Sequence, residues 1–320
     1  MKNLHLLPMV LSVICICLLS NSAQAQNNSK TTNVEKHIAQ SINNINQHWQ
    51  TNLQKGHVAK VLEHYAEKAI FMPEYQPTLN GAQQIKDYLT ALNKQRKFHQ
   101  INYQSTEMLK LGKYVLEIGN FDMDVQWLNH TSTKTYTGKY WRIWDTDSGV
   151  KKELQIIGEA FGFYKHLENP ELWVTDRKTR AGLSPSGFKA TDMSIELQAY
   201  HSLGQKGVKQ KDGELRAKMY AQDAVFYPFA DTPKKGMEVL KPYLIQYSSH
   251  GAIIESVKTY SHEVIYLDGF ILEFAKFAVA WTYDGVPGSA NGKGISLRKR
   301  LENGELRFFR HIGMHNYDGY

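Results

Sequence analysis

Four titratable side chains have the type and setting for acid–base chemistry: Glu117, Glu159, Glu273 and His311. Glu117 lies in KYVLEIGNFDMDV and Glu273 in GFILEFAKFAVAW, two segments of alternating character. In extended chain every second side chain shares a face, so Glu117 falls with Gly119, Phe121, Met123 and Val125, and Glu273 with Ala275, Phe277, Val279 and Trp281. A carboxyl group that begins an apolar concave face has its pKa raised by desolvation, as a general acid or base at neutral pH requires. The competing reading is a glutamate at the wet end of its strand, or one paired with a nearby Lys or Arg. Two later segments, ELQIIGEAFGF and ELRFFRHIGMH, align on Glu153 and Glu305 and set Glu159 opposite His311. An acid in one copy and an imidazole in the other imply different tasks. Both segments are apolar on both faces, so alternation leaves open which way Glu159 and His311 point.

Other candidates are weaker. His311 and His315 would share one face of a helix, but on a strand four residues span about 13 Å, too far for one ion, so no metal site is expected. Gly292-Lys293-Gly294 is too short for a phosphate loop, no nucleophile motif is present, and no cofactor is expected. Tyr65 and Tyr220 each end the expected second helix of their copy, where a phenol either serves a ligand oxyanion or packs as core with its hydroxyl on the backbone. Together with Phe121, Trp141, Phe277 and Trp281 they are the expected ligand-binding set; these large rings could equally fill the pocket themselves.

These residues recur because much of the chain does. YAEKAIFMPEYQPTLNGAQQIKDYL begins at Tyr65 and YAQDAVFYPFADTPKKGMEVLKPYL at Tyr220. Nine identities, from Tyr65/Tyr220 to Leu89/Leu244, hold one offset (220 − 65 = 155) without a gap. A fixed-offset match of this kind indicates duplicated structure, and two copies indicate tandem domains rather than a solenoid.

Around each copy the periods change in the same order. Val34, Ile38, Ile42, Ile45 and Trp49 form one helical stripe, Val58 to Tyr65 a second, and Ala82, Ile85, Tyr88, Leu89 and Leu92 a third. A short strand, Ala69 to Met72, is stopped by Pro73. Four alternating segments follow: Phe98 to Leu109, Tyr114 to Val125, Thr133 to Trp144 and Lys151 to Tyr164. Helices first and an antiparallel meander after is an α+β pattern. From about Ile195 the plan repeats. The expected organisation is a signal peptide over residues 1–25, one domain over 34–166, a linker over 167–192 rich in Pro, Gly and charge, and a second domain over 193–320.

The leader reading rests on Lys2, an apolar run from Leu6 to Leu19 and Ala23-Gln24-Ala25 before Gln26. The run is short for a membrane span, so a secreted or periplasmic protein is expected. Cys15 and Cys17 both lie inside the leader, which leaves the mature chain without a disulfide or thiolate. The net charge of +7 is scattered, with no nucleic-acid motif beside it, and reads as a solvated surface.

The helix ending in Tyr-Ala, the strand after it, the Pro and the Gly before the next helix resemble SnoaL-like domains of the nuclear transport factor 2-like superfamily. The resemblance covers nearly all the mature chain, twice. It implies two tandem α+β cones, each a curved antiparallel sheet wrapped around N-terminal helices and a pocket, paired through their sheets; a further homodimer is compatible with it. Ketosteroid isomerase, in that superfamily, places its catalytic Asp just before the Pro. This chain has Met72 and Tyr227 there, so that chemistry is not expected in either copy. Two functions stay open: a cofactor-independent acid–base isomerase, dehydratase or cyclase acting on a small, fairly apolar organic molecule, and a non-catalytic binding or assembly module.

Overall fold

The computed structural model of the chain describes residues 34–148, 153–175 and 194–317. The expected leader and most of the expected linker lie outside the described residues. In the first half, α1 (Lys36–Gln54), α2 (Val58–Val61) and a 3-10 turn (Leu62–His64) precede β1 (Tyr65–Pro73), β2 (Leu79–Asn80) and α3 (Gly81–Asn93). Four long strands follow: β3 (Arg96–Leu111), β4 (Tyr114–Trp127), β5 (Thr133–Ser148) and β6 (Glu153–Phe163), then a 3-10 turn at Pro170–Trp173. The second half repeats the order with α4 (Ile195–Lys209), α5 (Gly213–Lys218), β7 (Tyr220–Tyr227), β8 (Lys234–Lys235) and α6 (Met237–Ser248). Its long strands are β9 (Ile253–Leu267), β10 (Phe270–Tyr283), β11 (Val286–Arg300) and β12 (Leu306–His315).

Both sheets have six strands in the same order, β2-β1-β6-β5-β4-β3 and β8-β7-β12-β11-β10-β9. This is the helices-then-meander architecture expected of two α+β cones. The meander is antiparallel, but β1 and β7 run parallel to the last strand of their sheets. That pairing corrects the expected end of the second helix. Tyr65 and Tyr220 open strands, because they register with Ile156 and Phe308 across the sheet. A ladder partner about ninety residues away is invisible to local periodicity, and it outweighs helices that run only four residues in α2 and six in α5. The duplication reaches the backbone: Tyr75 (φ 69°) and Ala230 (φ 49°), 155 residues apart, both take the left-handed conformation after the first strand.

Each sheet has an inner face that wraps its own helices and an outer face that meets the other sheet. Ile118, Trp141, Ile143 and Ala160 pack in one apolar cluster with Leu272, Phe274, Ile295 and Ile312. Trp141 meets Tyr227 edge to face at 5.6 Å. Two lysines at matching strand positions cross this seam reciprocally. Lys139 donates to the Pro228 carbonyl (2.7 Å), and Lys293 donates to the Gln76 carbonyl (2.6 Å). Arg310 adds a bidentate bridge to Glu107 at 2.8 and 2.6 Å.

Beside Lys139, Glu74 is fully buried, accepts from the Phe163 amide at 3.2 Å and leaves Oε1 without a partner. Burial pushes its pKa up from 4.5 to about 7, against the pull of Lys139. The folded state therefore holds the Glu74 proton to higher pH than the unfolded chain. That contribution is complete below pH 4.5 and is lost as pH rises through about 7. Stability measured by urea unfolding is expected to fall by about 2–3 kcal/mol across this window, and Glu74→Gln is expected to flatten the profile. An unchanged slope in the variant would overturn the assignment.

Candidate functional site

The two glutamates at matching strand positions are both fully buried on the inner face, and each is held by the first helix of its half. Asn46 on α1 donates to Glu117 Oε1 at 2.6 Å. His201 on α4 places Nε2 2.7 Å from Glu273 Oε1. Asn46 and His201 are themselves 155 residues apart (201 − 46 = 155), so the helix-to-glutamate contact belongs to the duplicated plan. Neither was singled out from sequence. The available signal was a polar residue inside an apolar helical stripe: Asn46 falls between Ile42 and Trp49, and His201 four residues after Leu197.

The rest of each shell differs. Glu117 also accepts from the Tyr140 hydroxyl (2.7 Å) and the Trp144 indole (2.8 Å), and touches no cation directly. Burial raises its pKa, against the field of Arg142 and the three hydrogen bonds. Arg142 instead donates to Asn46 Oδ1 at 2.6 Å and to Glu159 Oε1 at 3.1 Å, while the Tyr65 hydroxyl donates to Glu159 Oε2. In the second half Glu273 is bound by Ser261, by Ser296 at 3.4 Å and by the Arg298 guanidinium. Burial opposes its ionisation, but Arg298 and the bonds from His201 and Ser261 outweigh it and hold the carboxyl well below the ordinary range.

All six carboxylate oxygens of Glu117, Glu159 and Glu273 are thus occupied by protein donors. In this arrangement Glu117 and Glu273 brace helix against sheet, Glu159 ties β5 to β1, and every one of their oxygens already accepts from the protein. The pairing with a cation that the sequence allowed for Glu117 and Glu273 is found for Glu273, with Arg298; Glu159, whose direction alternation left open, pairs with Arg142.

His311 is different. Its Nδ1 lies 2.8 Å from the Tyr220 hydroxyl, the same phenol-to-last-strand contact that Tyr65 makes with Glu159. Its ring is sandwiched by Phe308 at 4.5 Å and Phe226 at 4.9 Å. Burial, then Arg298, pushes its pKa down to about 3, so the imidazole is neutral near pH 7. Its Nε2 has no hydrogen-bond partner among the described residues. His315 packs elsewhere, against Phe229 at 4.2 Å and Phe277 at 5.6 Å.

The ligand-binding set is scattered over three environments. Trp141 faces the sheet–sheet seam, because its neighbours Tyr140 and Arg142 take the inner face; it does not line a cone. Phe121 is core in the first cone, touching Tyr103, Phe161 and Phe163 at 5.7–6.0 Å. The first cone is filled almost completely. Trp173, on the 3-10 turn after β6, closes it against Phe163 (4.8 Å), Tyr136 (5.2 Å) and Trp127 (5.6 Å). A cavity of about 20 Å³ remains, room for about one water.

Phe277 and Trp281 belong to the second cone, which is open. On β4 the inner-face residues Phe121, Met123, Val125 and Trp127 are all buried, whereas their counterparts Phe277, Val279, Trp281 and Tyr283 on β10 are half-buried or exposed. The last pair shows the contrast best: Trp127 is 3 % exposed and Tyr283 53 %. No counterpart of Trp173 covers the second cone among the described residues. After β12 the chain crosses to the first half, where the Tyr317 amide donates to the Tyr75 carbonyl at 2.8 Å. The floor carries less side chain as well. Where Tyr140 fills the first cone, the matching position is Gly294, flanked in register by Ala275 and Gly313. A cavity of about 270 Å³ lies elsewhere, beyond the end of this sheet between Ser194, Tyr266, Phe270 and Arg300. It contains none of the residues selected from the sequence.

No protein-family model matches the chain, and neither does any curated protein. Among solved structures it is similar to a ketosteroid isomerase-like protein from Erwinia carotovora atroseptica (9% identity, TM-score 0.38), over 42% of this chain and all of that one. It is also similar to a nuclear transport factor 2-like protein from Cytophaga hutchinsonii (11% identity, TM-score 0.33), over 40% of this chain and 98% of that one. A nuclear transport factor 2-like superfamily protein from Salmonella enterica serovar Typhimurium compares at 11% identity and TM-score 0.34, over 40% and 91%. Among the described residues, no helix is long and apolar enough to cross a membrane.

Proposed function

We propose that this protein is a non-catalytic binding module, exported by the leader read in its sequence. Its second cone takes a small, fairly apolar organic molecule, while its first cone is a closed structural body. The observation that carries this reading is the opposite state of one strand face in two copies of one plan: sealed on β4, open on β10. An aromatic face left to water costs hydrophobic free energy that the first cone recovers by closing, and a bound apolar ligand recovers it in the second. Phe277, Val279 and Trp281 supply the apolar wall, and His311 Nε2 supplies a single polar contact that fixes orientation. A neutral imidazole with a pKa of about 3 serves as a hydrogen-bonding group and not as a base near pH 7.

Trp281 is the one tryptophan beyond residue 173, so it reports on this cone. A fluorophore with an apolar ring system, such as the amphiphilic anilinonaphthalene sulfonate, is expected to bind with energy transfer from Trp281. Trp281→Ala is expected to weaken its binding about tenfold, the loss of one aromatic contact of about 1.4 kcal/mol. Equal affinity in the variant would place the fluorophore, and the proposed site, elsewhere.

A further inference from the structure

The small cavity left in the first cone has an unusual lining. Around it stand Trp49, Arg96, Tyr103, Phe161 and Trp173, with Glu159 at one side. Arg96 is 6 % exposed, and its Nε and Nη1 have no hydrogen-bond acceptor. The Trp49 and Trp173 indole Nε1 atoms are likewise buried and without an acceptor. Four donor atoms on three residues around one cavity are therefore unsatisfied, where a buried unpartnered group ordinarily costs about 1–3 kcal/mol and a charged one more.

Among the described residues no carboxylate pairs with Arg96, and Glu159 already gives both oxygens to Arg142 and Tyr65. Three rings do face the guanidinium: Trp173 at 4.2 Å, Phe98 at 4.5 Å and Trp127 at 5.4 Å. Rings over the faces of a guanidinium attract the cation but leave its in-plane N–H groups unsatisfied. Burial pulls its pKa down to about 10, which still leaves it charged near pH 7.

A water molecule answers this poorly. It accepts from only two of the four free donors, and it brings two hydrogens for which the lining offers only the Tyr103 hydroxyl and a Glu159 carboxylate that already accepts from Arg142 and Tyr65. A monovalent anion accepts from every side and cancels the charge. The volume, about 20 Å³, limits it to an ion or head group of about the size of one water.

We propose that the first cone binds a compact monovalent anion, a halide or the head of a small carboxylate such as formate, between Arg96, Trp49 and Trp173. The site is independent of the ligand face on β10. It makes the plug residue Trp173 a ligand of the ion as well as a lid over the aromatic core.

The test uses the full chain in sodium bromide, sodium formate and sodium sulfate at equal ionic strength, with the wild type and Arg96→Met compared in each. Mass action on the folded state is expected to raise the wild-type Tm by about 2–6 °C, saturably, in bromide or formate relative to sulfate. Bromide is expected to quench tryptophan fluorescence at the same concentrations. Which of the two salts acts at the lower concentration distinguishes halide from carboxylate. Arg96→Met is expected to lose both responses, and to melt at or above the wild-type temperature in sulfate, since an uncompensated buried charge has gone. A structural arginine predicts the reverse, a lower Tm with an unchanged salt response, and that result would overturn the site. Should Arg96→Met fail to fold, Trp173→Phe removes one donor and keeps a ring; an unaltered bromide response in that variant would also sink the idea. Bromide density in crystals only at surface positions, away from Arg96, would mark an adventitious ion only.

Discussion

Replacing Glu273 by Gln is expected to cost about 3–5 kcal/mol of folding stability at pH 7, because it leaves a buried guanidinium without its counter-charge. Arg298 is 3 % exposed and donates to both Glu273 and Ser296, so among the described residues the carboxylate is its only ionic partner at hydrogen-bond range. The glutamine amide also turns at least one donor towards donors, since His201, Ser261, Ser296 and Arg298 all point at this group. The pH dependence has a definite sign. The folded-state pKa of Glu273 is depressed, so its contribution is present above the unfolded value of about 4.5 and is lost as pH falls below it. The wild type is therefore expected to lose stability steeply below pH 4.5, and Glu273→Gln to lose part of that slope along with its stability at pH 7. Guanidinium chloride unfolding at pH 7 and pH 4 measures both. A loss under 1 kcal/mol at pH 7 would mean that Arg298 finds another partner.

Trp141→Ala is expected to cost about 3–5 kcal/mol and also to divide the unfolding transition in two. Trp141 is fully buried in the seam between the sheets, among Ile118, Ile143 and Ala160 of its own sheet and facing Tyr227 of the other. The cavity left by the indole weakens the apolar part of the contact, while the crossing lysines and the Arg310–Glu107 bridge remain. With less coupling, each half unfolds at its own stability. Differential scanning calorimetry is expected to show one transition in the wild type and two in the variant. A single transition, merely shifted down, would show that the polar contacts suffice to make the halves one cooperative unit.

Both expectations concern residues whose roles the linear chain only partly discloses. The faces of β4 and β10 follow from two-residue alternation, so the apolar face that Glu117 and Glu273 share was legible, whereas alternation left open whether each carboxyl is buried or sits at a wet strand end. What those carboxylates touch was not, because Arg142, Arg298, Asn46 and His201 arrive from other elements. Trp141 illustrates the same limit. Its type suggested a pocket wall, but its direction is set by the parity of β5, where the flanking Tyr140 and Arg142 point into the cone. Tyr65 shows the opposite error: a local helical stripe gave way to a parallel strand pairing with the end of the half.

The sequence by itself determined the duplication, the order of helices before strands, and the two positions where a glutamate enters each cone. Those properties are local, written in period and in a constant offset. Only the tertiary structure decided that one cone is shut and the other open. That difference depends on Trp173 folding back over the first cone, on Tyr317 crossing away from the second, and on a glycine standing where the first copy has Tyr140. Each is a contact or an absence of contact between distant segments, and burial, unlike periodicity, exists only once such segments have met.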